Sequence, residues 1–157
     1  MRTVDQLLAE HPFFAGLGPD LIALISGCAQ NVHFDVGSRL FRTGEPANRF
    51  FVVRTGRVAL ELVAPGRQPL VVETVDAGQV LGWSWLVPPY RWFCDGRAVA
   101  PTSLVALEGS CLRTKCDGDA ALGYQLLQRV TQVMYERLQS SRVRLLDLYG
   151  TPSVAIN

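Results

Sequence analysis

Apolar and polar positions along this chain follow three successive patterns. In the lead, Val4, Leu7 and Leu8 have helical spacing, and Pro12 and Gly16 within "HPFFAGL" interrupt it. A second helix is predicted from Pro19, since proline at the first helical position forfeits no needed hydrogen bond. Leu21, Ile22, Leu24 and Ile25 give it an apolar face, and Gly27 weakens its end.

From Asn31 the period shortens to two. Val32, Phe34 and Val36 alternate with polar residues, and glycines punctuate short strand-like runs: "RLF", "RFFVV", "RVALELV", "LVVETV" and "SLVAL". "RTGR" and "APGRQP" read as turns between them. Short strands at this spacing predict a small antiparallel barrel or roll. From about Asp119 the helical period returns. Leu127, Thr131, Met134, Leu138, Ser141, Leu145 and Leu148 form a four-three seam of coiled-coil type, flanked by Arg137, Arg142 and Arg144. About thirty residues at 1.5 Å each make roughly 45 Å of helix, longer than a small domain is wide. The expectation is an α+β, mainly β chain: a double-stranded, jelly-roll-like β-roll flanked by N-terminal helices and a long C-terminal dimerisation helix. One domain covers 1–149, with a helical lead (1–30), roll (31–112) and helices (113–149), and 150–157 forms a tail.

Composition narrows the function. The 157 residues are 48% hydrophobic and 18% charged, which suits one core. No apolar run reaches the roughly 18 residues of a membrane span, and the N-terminus lacks a signal-peptide core. A cytoplasmic protein is expected, with no membrane partner. The net charge of +1 gives no electrostatic case for nucleic acid. Cys28, Cys94, Cys111 and Cys116 are irregularly spaced without a C-x-x-C pair, and read as buried or incidental thiols in a reducing compartment. A metal-dependent enzyme on a β-roll, as in cupins, needs two or three histidines and a carboxylate. Only His11 and His33 exist, and no Ser-His-Asp set stands out, so neither a metal nor an enzyme is expected.

The stretch "GQVLGWSWLVPPYRWFCDGRAVA" concentrates all three tryptophans with Tyr90, Phe93, two prolines and two arginines in one loop. Around it lie "HPFFAGL", "VGSRLFRTGEPANRFFVVRTGRVAL" and "AGQVLGW". From 37 to 58 the chain follows G-x-x-L-F-x-x-G-E-x-A, three further residues (Asn48, Arg49 and Phe50, where the pattern has polar ones), then F-x-V-x-x-G-x-V. This resembles the cyclic nucleotide-binding domain family over nearly the whole chain, and the last helix is similar to the dimer helix of its Crp/Fnr-type regulators. The resemblance implies a phosphate-binding cassette. In it a turn ending Phe-Gly-Glu leads into a short helix whose N–H groups face the cyclic phosphate. The glutamate takes the ribose 2′-hydroxyl, and an arginine about ten residues on pairs with the phosphate.

Here the turn reads "VLGW": Leu81 and Gly82 fit, but Trp83 stands at the glutamate position and the arginine position falls near Cys94. Arg91 and Arg97 are the nearby substitutes. Losing two charged contacts costs about 3–6 kcal/mol, or two to four orders of magnitude in affinity. cAMP binding through the usual contacts is not expected. The candidate ligand-binding residues are Leu81, Gly82, Trp83, Ser84, Trp85, Arg91 and Arg97. Ser141 and Arg142 join them, because the resemblance places a dimer-helix hydroxyl near the ligand's base.

Three outcomes for the aromatic loop stay open. It plugs a disused pocket, it lines a pocket retuned for another small anionic or aromatic ligand (a cyclic nucleotide included), or it is buried against a protein partner. The expected function is a non-enzymatic regulatory or sensor module, homodimeric through its last helix. The alternatives are an interaction module with a plugged pocket, or the sensor part of a Crp/Fnr-type regulator without its DNA-binding domain. The chain ends at Asn157 without room for a helix-turn-helix, so no direct DNA binding is expected.

Overall fold

The computed structural model describes residues 2–150, which divide into two compact units, one up to Gly123 and one from Tyr124 onward. In the first unit, α1 (Val4–Glu10) starts at a capping box. Thr3 Oγ1 accepts the Gln6 N–H, and Gln6 Oε1 accepts the Thr3 N–H. Leu7 and Leu8 are buried. The helix stops at His11, because the residue before a proline is pushed out of the helical region. His11 is itself buried and pins this lead to the roll. Its Nδ1 accepts the Phe13 N–H at 3.1 Å and its Nε2 donates to the Val53 carbonyl at 2.9 Å. That arrangement requires the neutral ring. Burial lowers the His11 pKa, outweighing the bond to Val53, which acts the other way. After a 3₁₀ turn at Pro12–Phe14, α2 (Pro19–Ser26) opens on its proline and buries Ile22 and Ile25.

Eight strands follow: β1 (Ala29–Phe34), β2 (Arg39–Phe41), β3 (Arg49–Thr55), β4 (Arg57–Leu62), β5 (Leu70–Asp76), β6 (Val80–Leu81), β7 (Asp95–Ala98) and β8 (Thr102–Glu108). They form two antiparallel four-stranded sheets, in the orders β1-β8-β3-β6 and β2-β7-β4-β5. Phe51, Val53, Leu81, Leu104 and Ala106 of the first sheet meet Phe41, Val58 and Val75 of the second in one core. This is the expected β-roll. Its β3–β4 hairpin turns at Gly56, with φ +96°, where an added Cβ would lie 2.4 Å from the Pro101 carbonyl oxygen. Only glycine satisfies both conditions.

The cysteine expectation is corrected. Cys28 and Cys111 form a disulfide with Cα atoms 5.7 Å apart across 83 positions of sequence. Their spacing carries no signal, because the pair meets only through the β1–β8 register, in which Ala29 faces Leu107. Cys94 and Cys116 are outside any disulfide and half-buried. Burial, helped by Asp117 and Asp119, raises the Cys116 pKa.

Cys111 lies in the first turns of α3 (Gly109–Gly118). Asp119 then caps α4 (Ala120–Tyr149), its Oδ1 accepting the Leu122 N–H at 3.1 Å. Most of α4 belongs to the second unit, where it is a continuous helix whose seam residues Leu127, Met134, Leu138, Leu145 and Leu148 are exposed in the single chain. Among the described residues, no helix is long and apolar enough to cross a membrane. The tail expected over 150–157 lies, beyond Gly150, outside the described residues.

Candidate functional site

The aromatic segment leaves the roll at β6, which pairs with β3 through Leu81 opposite Phe51. Gly82 takes φ +86° and turns the chain off the sheet. The short helix that the resemblance implies next is replaced by turns. The Leu86 N–H donates to the Trp83 carbonyl and the Tyr90 N–H to the Val87 carbonyl, with no helix over 83–90. Pro88 and Pro89 have no N–H to offer an anion.

The loop's return path is held by main-chain bonds to the turn after β2. The Gly44 N–H donates to the Trp92 carbonyl (2.8 Å), the Trp92 N–H to the Glu45 carbonyl (3.0 Å), and the Ala47 N–H to the Tyr90 carbonyl (2.7 Å). This pairing delivers the Trp92 indole into the roll. The ring stacks on Phe41, with centroids 3.6 Å apart and planes 11° off parallel, and faces Phe51 at 6.4 Å. Its far edge covers Gly82, where an added Cβ would lie 2.6 Å from Trp92 Cη2. The glycine that resembles the cassette glycine therefore lies under an indole. Cys94, near the expected arginine position, packs against the same core.

Of the candidate residues, Leu81 and Ser84 are buried and Trp83 is half-buried. Trp85 is fully buried against Phe50 (5.5 Å), and its indole N–H has no acceptor among the described residues. Leu81, Gly82, Trp83, Ser84 and Trp85 thus form one continuous segment of the site. Arg91 is exposed and donates to the Gly44 carbonyl at 2.8 Å. Ser141 and Arg142 are exposed on α4, in the second unit.

Arg97 lies on the other face of its sheet. Side chains alternate along a strand. Val58 and Leu60 pack into the core, and Gly96 approaches Phe41 there, so Glu61, Asp95 and Arg97 point outward. Arg97 Nη2 donates to Glu61 Oε2 at 2.7 Å and Arg97 Nε to the same oxygen at 3.2 Å. Arg39 bridges Glu61 (3.3 Å) and Asp95 (2.9 Å), and Thr43 donates both its N–H and its hydroxyl to Asp95 Oδ1 at 2.7 Å. The Arg97 hydrogen bond holds the Glu61 carboxyl below its ordinary pKa against the effect of burial. Burial pushes Asp95 up, but the Thr43 bonds and Arg39 outweigh it, so its pKa too is lowered. The guanidinium proposed as a phosphate partner is committed to a carboxylate.

Two residues outside the candidate set shape the site. Trp92 was visible in the aromatic run, and the glycine it covers was the available clue. Arg113 on α3 donates to the Trp85 carbonyl and lies over the Tyr90 ring at 4.3 Å. No sequence motif announced it.

Comparisons with known proteins agree with this architecture. The family model for the cyclic nucleotide-binding domain matches residues 31–119. A CRP-like cAMP-activated global transcriptional regulator of Mycobacterium tuberculosis is 24% identical over 94% of this chain, which spans 64% of that regulator's length. A crystal structure of a putative cyclic nucleotide-binding protein from Geobacter metallireducens shares 27% identity at a TM-score of 0.77, covering 88% of this chain and 99% of that one. A cyclic nucleotide-binding domain from Methylobacillus flagellatus superposes at a TM-score of 0.82 with 19% identity, covering 94% and 87%, a likeness of fold. The paired sheets, the glycine turn and the matched profile lead to one conclusion: the chain belongs to the cyclic nucleotide-binding domain family.

Proposed function

We propose that this chain is a non-enzymatic, cytoplasmic regulatory module of that family whose cassette does not take cAMP by the usual contacts. The observation that carries this reading is the Trp92 indole, stacked on Phe41 and lying directly over Gly82. A second consideration supports it: Trp83 supplies an N–H donor where the family glutamate accepts a ribose hydroxyl. Calorimetric titration of the unmodified protein with cAMP or cGMP is expected to give no saturable heat. A dissociation constant of about 10 μM or tighter, worth roughly 7 kcal/mol, would overturn the reading. Restoring the anchors with Trp83→Glu and Cys94→Arg is expected to fail while Trp92 stays in place.

The module is proposed to act as a homodimer through α4. Its seam leaves Leu127, Leu138, Leu145 and Leu148 at least half exposed, a mainly apolar line interrupted by Thr131 and Ser141 that a second copy would cover. Met134→Glu combined with Leu138→Glu is expected to give monomers by sedimentation. Natural protein that is already monomeric at tens of micromolar would exclude the dimer.

A further inference from the structure

The Cys28–Cys111 bond lies on the wall of an open cleft of about 530 Å³, lined also by Gln30, Asn48, Arg49, Glu108 and Ser110. Cys28 is buried and Cys111 half-buried, and both line the cleft. The Lys115 ammonium group lies close to Gly27, next in the chain to Cys28. The joint does not rest on the disulfide alone. The Glu108 N–H donates to the Cys28 carbonyl at 2.9 Å, the Gly109 N–H to the Asn48 carbonyl at 2.8 Å, and Leu112 is buried. With the bond open these contacts still keep the start of α3 on the roll, and what reduction removes is the covalent tether at Cys111. Two residues beyond Cys111, Arg113 grips the aromatic loop through the Trp85 carbonyl and the Tyr90 ring. The same two turns of helix carry both the disulfide and that grip.

We propose that Cys28–Cys111 is a thiol–disulfide switch whose reduction removes the covalent tether of α3 at Cys111 and weakens the hold of Arg113 on the aromatic loop. The reductant is a dithiol of thioredoxin type. Its thiolate attacks Cys111 Sγ, forming a mixed disulfide and expelling Cys28 as a thiolate that takes up a proton. The dithiol's second thiolate then displaces Cys111 and leaves as a disulfide. Two electrons and two protons pass to the protein. The proposal stands on the geometry of α3 and is independent of whether the pocket binds a ligand.

The test uses the full chain in native buffer with dithiothreitol, followed by alkylation mass spectrometry and hydrogen exchange. Before reduction, two of the four cysteines should alkylate in denaturant, and four afterwards. Reduction should complete without denaturant, and amides of 109–115 and 83–92 should then exchange at least about tenfold faster while those of β3 and β8 stay protected. Arg113→Met should speed exchange of the loop before reduction and leave little further change after it. Reduction that requires denaturant would overturn the switch and leave a structural staple. Full reduction with unchanged exchange in 83–92 would overturn the coupling. Because the wild-type chain carries the decisive measurement, the proposal stays testable if a cysteine variant fails to fold.

Discussion

Trp92→Ala is expected to lower the unfolding free energy by about 3–5 kcal/mol, the range for deleting a buried tryptophan or phenylalanine side chain. The indole is 5% exposed and is the shared neighbour of Phe41, Phe51 and Gly82. Its removal strips the Phe41 face of its stacking partner, and the stiff sheets on either side cannot collapse far into the void. The backbone around it keeps its bonds to Gly44, Glu45 and Ala47, since none of these uses the side chain. Loss of stability without loss of fold is therefore the result to look for, by urea unfolding with circular dichroism. A change below about 1 kcal/mol would mean the ring is peripheral, and the reading of the site as closed would go with it.

Arg97→Met should cost about 3–5 kcal/mol for a different reason, the stranding of a buried charge. The Glu61 side chain is only 4% exposed, and without Arg97 it keeps a single contact to Arg39 at 3.3 Å. Adding Glu61→Leu should recover most of the loss, because an apolar pair of similar volume replaces a buried ion pair at little cost. An arginine held ready for a ligand behaves otherwise: its removal would leave stability within about 0.5 kcal/mol of the natural protein. The pH profile gives a second readout. The folded pKa of Glu61 lies below its ordinary value of 4.5, so its contribution is complete above that value and is lost as pH falls toward the folded pKa. In Arg97→Met this acid limb should shrink.

Much of the fold was legible because its signals are local. The glycines at 37, 44, 56, 66, 78 and 82 all take positive φ, so each expected turn rests on a conformation other residues avoid. The α4 seam was readable because one period runs unbroken through the helix. What stayed hidden depends on register. Arg97 and Cys94 lie three positions apart, yet one faces solvent and the other the core. A strand of only four residues gives no periodicity from which to choose between these faces. The disulfide depends on β8 lying beside β1, a pairing of segments far apart in sequence. The Arg113 grip needs α3 placed over the loop, which no spacing encodes.

The main-chain zipper between the Gly44 turn and the aromatic loop has an evolutionary corollary. Because carbonyls and amides hold the loop, the identity of residue 92 can drift without redrawing its path. Relatives of this chain that differ there would share the same frame while having interiors that are either filled or hollow. A lineage could thus gain or lose a chamber by changing a single codon, and position 92 is the one to read first when sorting such sequences.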